Sequence, residues 1–246
     1  IPLVTLLTTP LALAGMLLPG LWALAAWLVQ GLVWGLGWLA QAPLAVWTVP
    51  AAPGWLVAAA GLGALLAVLP APPALRWLAL PLVLPLLWPP VARPAAGRFD
   101  VVAADVGQGT AVLVRTRSHL LVYDTGPQYS RESDAAQRVL LPLLRGRGEG
   151  RIDLLVLSHR DTDHVGGAAS LLAAHPVAAL SSSLADDHPL RTQAGRGLPH
   201  TACRAGQHWD WDGVQFQMLH PADDDVAAAD KPNAVSCVLR VQDTAG

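Results

Sequence analysis

Through residues 1–96 the chain is apolar in long runs, and from Phe99 onward it alternates over short ones. Four runs approach the length of a bilayer-crossing helix, which takes about 20 apolar residues: 3–18, 21–40, 54–69 and 75–91. Pro19-Gly20, the stretch from Pro43 to Pro53, and Pro70 to Pro73 separate them. Proline breaks a helix because it lacks an N–H and clashes with the preceding turn. Pro10, Pro81 and Pro85 fall inside runs, where membrane helices accommodate them if neighbours satisfy the freed carbonyls. Gly31, Gly35 and Gly61 are candidate points of close helix packing.

After a Pro-rich stretch at 89–98, the pattern predicts strands at 99–109, 110–116 and 119–126, with turns at Gly107, Gly109 and Arg117-Ser118. Val139, Leu140, Leu143 and Leu144 share a stripe and predict a helix from Asp134 to Arg145. Residues 152–158 are apolar on both faces, as a doubly covered strand is. Gly166-Gly167 opens a helix that Pro176 ends, and 177–183, 209–221 and 234–242 read as a strand, a hairpin and a further strand. Strands mixed with a few helices indicate an α+β sheet layer.

Composition sharpens this division. Of the 16 Lys and Arg, only Arg76 and Arg93 lie in residues 1–96, and that stretch has no acid and no histidine. It also holds eight of the ten Trp, several near run ends as in an interfacial belt. A water-facing surface is usually about a quarter charged, so residues 1–92 read as membrane and 99–246 as a soluble domain, joined by a 93–98 linker. With no basic leader and several apolar runs, a signal peptide is excluded. Arg76 against Arg93 and Arg98 tips the positive-inside count only slightly toward a cytoplasmic soluble domain. The chain opens at Ile1 inside an apolar run and closes at Gly246 after a strand, so both ends read as cut.

The chemistry concentrates in residues 158–167, Ser-His-Arg-Asp-Thr-Asp-His-Val-Gly-Gly. His159, Asp161, Asp163 and His164 fall within six residues, between a hydrophobic strand and a helix. In a tight loop His159 and Asp161 can share one ion while Asp163 and His164 turn toward a second. Imidazole with carboxylate suits divalent first-row metals. A solvated loop capped by Asp is the plain alternative.

The string HxDxDHxGG resembles the HxHxDHxGG signature of the metallo-β-lactamase superfamily, and Asp124-Thr-Gly126 matches its supporting turn. Taken with Asp105-Val-Gly-Gln-Gly109, residues 209–221, and Asn233 to Ser236 behind Trp-rich helices, the chain resembles the ComEC-type DNA-internalisation competence proteins. The resemblance implies transmembrane helices followed by an incomplete αββα metallo-β-lactamase-like sandwich. It implies a multi-pass bacterial inner-membrane channel for single-stranded DNA whose periplasmic domain degrades the other strand. Its partners would be single- and double-stranded DNA, membrane lipid, a DNA receptor and other competence proteins. Two divalent ions, Mn²⁺ or Zn²⁺ with Mg²⁺ a further option, would sit on His159 with Asp161 and on Asp163 with His164. Asp163 would be the catalytic ligand, and Asp105, Asp124, Gly126, Asn233 and Ser236 would support it.

Three positions depart from the family pattern. Asp161 replaces a histidine, which makes the site harder and favours Mn²⁺ or Mg²⁺. Thr110 stands where the family has Asp. The family's later ligands would lie beyond Gly246. His220 is a further candidate ligand or a turn residue before Pro221; Asn233 and Ser236 line the site or form a turn. Cys203 and Cys237 lack CxxC spacing and are either a periplasmic disulfide or two buried thiols. Two other functions stay open: a tethered, non-catalytic DNA-binding scaffold, or a membrane hydrolase of another substrate.

Overall fold

The computed structural model describes residues 4–42, 46–70, 72–194, 197–224 and 231–243. Leu3, Pro43 and residues 244–246, on which parts of the sequence reading rest, lie outside them. The chain divides into two units, Ile1–Thr48 and Val49–Gly246.

The first unit holds α1 (Thr9–Ala14), entered through a wide turn at Val4–Thr8, and α2 (Gly20–Ala40). At 1.5 Å per residue the 21 residues of α2 extend about 31 Å, matching the hydrocarbon thickness of a bilayer. Trp27, Trp34 and Trp38 on it are each more than 60% exposed, an apolar surface suited to lipid rather than water. Among the described residues α2 is the one helix long and apolar enough to cross a membrane.

The remaining predicted spans are shorter. In the second unit α3 (Gly54–Val68) has 15 residues, about 22 Å. The run at 75–91 is broken into α4 (Pro73–Trp77), α5 (Ala79–Val83) and a tight turn at Leu84–Leu87. Pro81 and Pro85 supply no N–H to continue one helix through it. The close helix contact is made at Gly63, where a Cβ would stand 2.8 Å from Leu82 Cβ. Gly31, Gly35 and Gly61 face open space instead.

The rest of the second unit is layered. Its strands are β1 (Asp100–Ala103), β2 (Val112–Arg115), β3 (Leu120–Tyr123), β4 (Gln128–Ser130), β5 (Ser133–Asp134), β6 (Leu154–Leu157), β7 (Leu180–Ser182), β8 (His200–Ala202), β9 (His208–Trp211), β10 (Val214–His220) and β11 (Val238–Gln242). One sheet runs β1-β2-β3-β6-β7-β8 and a second runs β11-β10-β9. β3, β6, β7 and β8 are parallel, so their C-terminal ends lie on one edge. The helices α6 (Leu141–Gly146), α7 (Thr162–Val165) and α8 (Ala168–Ala174) complete the fold.

Alternation explains the layers. Leu120, Val122, Leu155 and Leu157 enter a core with Leu144, Ala168 and Leu171 from the helices. Leu121 and Val156 point the other way, into a core with Val214, Phe216 and Met218 of β10. Because both faces of the central strands are buried, they read as continuous apolar runs, whereas β10 alternates. This is the helix–sheet–sheet part of an αββα sandwich; a second helical layer is not among the described residues.

The Pro-rich stretch that reads as a spacer is docked. Arg115 Nη2 donates to the Ala92 carbonyl at 2.8 Å, and in the separate segment before α3 Ala51 N donates to Gly146 O at 2.7 Å. The Glu149 side chain, fully buried, pairs with both Arg93 and Arg115. The Arg115 Nε to Glu149 Oε1 approach is 2.7 Å but lacks hydrogen-bond alignment.

A second tie joins the sheets. Asp212, in the β9–β10 turn with φ 59°, accepts hydrogen bonds from Thr116 Oγ1, Ser118 N and Ser118 Oγ at 2.6, 2.8 and 2.7 Å. His119, with no partner evident in the sequence, stacks on Trp211 at 4.8 Å with Nδ1 3.2 Å from the same carboxylate. Burial alone raises the Asp212 pKa, but the hydrogen bonds from Thr116, Ser118 and His119 outweigh it and hold the group well below the usual carboxylate range.

Asp212→Asn therefore destabilises the second unit by about 2 kcal/mol, the scale of hydrogen bonds to a charged acceptor, read as a lower thermal midpoint. A depressed folded-state pKa stabilises above the unfolded carboxylate value and loses that contribution as pH falls below it. The difference between wild type and variant should accordingly shrink in acid; a difference that grows there would contradict this account.

Candidate functional site

The site forms where the parallel strands end. β3 runs into Asp124-Thr125-Gly126, β6 into Ser158-His159, and β7 into Ser183. Asp124 has φ 58° and is fully buried, a backbone region that Asp tolerates better than most residues. Its carboxylate accepts from Ser158 N, Ser158 Oγ and His164 Nδ1, each at 2.7 Å. Three donors, two of them side chains of the 158–164 loop, thus converge on one buried charge.

These bonds determine which imidazole nitrogen is protonated. A carboxylate only accepts, so His164 Nδ1 carries the hydrogen. The Ser158 hydroxyl is spent on Asp124, and the Ser236 hydroxyl donates to Asn233 O at 3.0 Å. Both oxygens can then accept from His159 Nδ1, at 3.0 and 3.2 Å. Each ring is left with Nε2 as its lone-pair face. His159 Nε2 lies 3.4 Å from Asp161 Oδ2, and His164 Nε2 lies 3.5 Å from Asp163 Oδ2. The two rings are 4.1 Å apart between centroids.

The Asp124 hydrogen bond is the largest influence on His164 and raises its pKa, against burial, which lowers it. Burial, aided by the Asp124 charge, pushes the Tyr123 phenol up to about 12, so it stays protonated and donates to the Cys237 carbonyl.

Glycines permit the close packing. At Gly166 a Cβ would fall 2.2 Å from Gln128 N, and at Gly167 2.6 Å from Thr125 O. At Gly109, φ 144°, it would fall 2.2 Å from Asp163 O. Thr110 N donates to that oxygen at 3.1 Å, and Gly126 N to Thr110 O at 2.8 Å. The backbone at Thr110 clamps the loop although the side chain differs from the family's Asp. Gly126, φ 71°, has no room for a Cβ against Ala135 and Val106.

The remaining candidates are placed less centrally. Asp105 is exposed and accepts from Gly107 N at 3.2 Å, closing its own turn. His220 Nδ1 contacts the Ser236 carbonyl at 2.7 Å. Asn233 is exposed and contributes its carbonyl to Ser236. Cys203 and Cys237 are joined in a disulfide; Cys237 N donates to Ser158 O at 2.9 Å, so the bridge sits behind the loop. Two contributors are not singled out by the sequence pattern: Ser158, which orients His159 and shares Asp124 with His164, and Arg160, which lines the cleft with Asp161 and Asp163. Their adjacency to His159 is the one signal the sequence offers for them.

The donor set suits a divalent ion: two imidazole Nε2 faces, each beside a carboxylate, with Nδ1 already committed. Among the described residues no three His, Cys, Asp or Glu groups converge as a complete cage. This loop therefore offers two two-donor pairs.

Residues 104–225 match the Metallo-beta-lactamase superfamily model. Over 99% of its length the chain is 31% identical to "Uncharacterized protein YcaI" of Escherichia coli, covering 31% of that protein. It is 36% identical to "Competence protein ComA" of Neisseria gonorrhoeae over 98% of this chain and 32% of that one. It is 37% identical to "Recombination protein 2" of Haemophilus influenzae over 64% and 18%, respectively. The chain thus spans about a third or less of the curated relatives it matches.

Gly166→Ala should cost about 3 kcal/mol, because the added methyl meets backbone rather than a movable side chain. Gly150→Ala, with open space around it, should leave the unfolding midpoint unchanged; equal effects would refute the packing argument. In chelator-treated protein, histidine NMR should show His164 titrating above an ordinary imidazole, and Asp124→Asn should bring it down. The raised value stabilises the fold at low pH, and that stabilisation is lost as pH rises through it.

Proposed function

We propose, for a chain whose residues 104–225 form a metallo-β-lactamase-superfamily domain and whose homologues include competence proteins, that it is part of a bacterial DNA-uptake machine. In this reading residues 1–92 lie in the inner membrane as part of a multi-pass channel for single-stranded DNA, 93–98 link them, and 99–246 are the first part of a periplasmic metal-dependent phosphodiesterase domain that, in the full-length protein, degrades the strand not imported. α2 and the near-absence of charge before residue 97 support the membrane placement. The Cys203–Cys237 disulfide supports an oxidising compartment.

The observation that carries the reading is the pairing of each Nε2 with a carboxylate while Asp124 and Ser158 engage the Nδ1 atoms. His159 with Asp161, and Asp163 with His164, would each hold one divalent ion. Such ions, when bound, lower the pKa of water and neutralise charge on a phosphoryl group. Asp161 supplies oxygen in place of nitrogen and favours Mn²⁺ or Mg²⁺ over Zn²⁺. The chain's own part is orientation: Asp124 holds His164 and Ser158, and Ser158 with Ser236 holds His159. His220 reaches this group through the Ser236 carbonyl and is a candidate for a further donor. DNA, lipid, a DNA receptor and other competence proteins would be its partners.

A second reading, a membrane-tethered scaffold with a degenerate site, is favoured by the lack of a three-donor cage among the described residues. Metal analysis separates the two: the enzyme retains stoichiometric Mn²⁺ or Zn²⁺ and the scaffold does not. With Mn²⁺ and a DNA oligonucleotide, Asp163→Asn should abolish cleavage by the full-length protein. Asp124→Asn should reduce it about 10–100-fold, as loss of a ligand's orienting partner does. Undiminished cutting by the Asp163 variant would overturn the phosphodiesterase reading.

A further inference from the structure

Beside the cleft lies a second cavity of about 330 Å³. Arg160 lines both: it joins Asp161, Asp163 and Tyr129 around the cleft, and Lys231 and His188 around the cavity. Among the described residues neither Arg160 nor Lys231 makes an ion pair. The walls between these cations are apolar, from Leu184, Pro189 and Val235. Among the described residues that line it, Asp187 is the one carboxylate, against two cations. The wall is tied to the donor loop, since Ser183 Oγ donates to Ser158 O at 2.6 Å.

His188 adds a donor. Leu190 N–H donates to His188 Nδ1 at 3.2 Å, so Nδ1 is the accepting nitrogen and Nε2 carries the hydrogen. Cations at the rim, one fixed N–H and an apolar floor match a nucleotide, whose phosphate is anionic and whose base has apolar faces. The volume is at the lower end for small-ligand pockets, enough for one unit rather than several.

We propose that this cavity is a subsite for the nucleotide next to the one at the donor loop, with Arg160 and Lys231 on its phosphate and Val235 and Leu184 against its base. The proposal rests on the reading that the protein acts on DNA, and it makes Arg160 and Lys231 positioning residues rather than metal ligands. It accounts for how a net-acidic domain would take up a polyanion: two cations beside the carboxylates supply local attraction that the overall charge does not.

The test is binding of a fluorescein-labelled oligothymidylate to the whole protein in detergent, by anisotropy, with chelator present so that nothing is cut. Arg160→Gln and Lys231→Gln should each weaken binding about fivefold at 0.1 M salt and lower the salt slope by about 0.7, the value for one single-strand phosphate contact. Val235→Asn should weaken binding with the slope unchanged. Arg151→Gln, an exposed cation paired with Asp153, should do neither. If all three cation variants lose affinity equally, the effect is general charge and the subsite is refuted. Binding insensitive to Arg160 and Lys231 refutes it as well while leaving the action on DNA standing. No binding by the wild type removes both.

Discussion

The site depends on one buried carboxylate. Asp124 is fully enclosed, and a charge removed from water is costly unless it is hydrogen-bonded. Its three donors at 2.7 Å offset that cost, and two come from the side chains it must orient. The parallel register of β3 and β6, with Tyr123 opposite Val156, brings Asp124 to the end of β6, where Ser158 reaches it. The left-handed backbone at Asp124 turns the chain away so that the carboxyl stays beneath the loop. The donor geometry of the candidate site stands on this arrangement: the imidazole tautomers, the outward Nε2 atoms, and the carboxylates beside them.

Around that point the fold works by close approach. Gly109, Gly166 and Gly167 bring the 107–110 turn and the 125–128 segment against the loop, where any side chain would collide with backbone. The second sheet contributes from the other side. The segment entering β11 carries Ser236 to His159, and the Cys203–Cys237 bridge and the Tyr123 hydroxyl hold that strand end in place. At the far edge Asp212 ties the β9–β10 turn to the β2–β3 turn. The Pro-rich connection is anchored by the Glu149 cluster, so β2 is joined to the segment leaving the apolar helices.

Much of this architecture is legible in the residue pattern. The 158–167 string stands out because six residues hold four metal-competent side chains between an apolar strand and a glycine pair. The doubly buried strand at 152–158 and the alternation of the 209–221 hairpin are equally plain, since burial on one face or two leaves different periods. The length of the apolar helices is less legible. Hydropathy marks a run but not where proline interrupts its hydrogen bonds, and the 75–91 run forms three short pieces. His119 shows no partner in the sequence because Trp211 and Asp212 are about ninety positions away.

Local composition and period are enough to mark the division into apolar and polar parts, the strand that ends at Ser158, and the four candidate donors. None of these needs a distant segment to define it. Which nitrogen of each imidazole is left to bind, the sharing of His159 by Ser158 and Ser236, and the place of Arg160 between two cavities emerge only in the folded chain. Those properties arise between segments far apart in sequence, and their directions are set by strand register and backbone turns rather than by residue type.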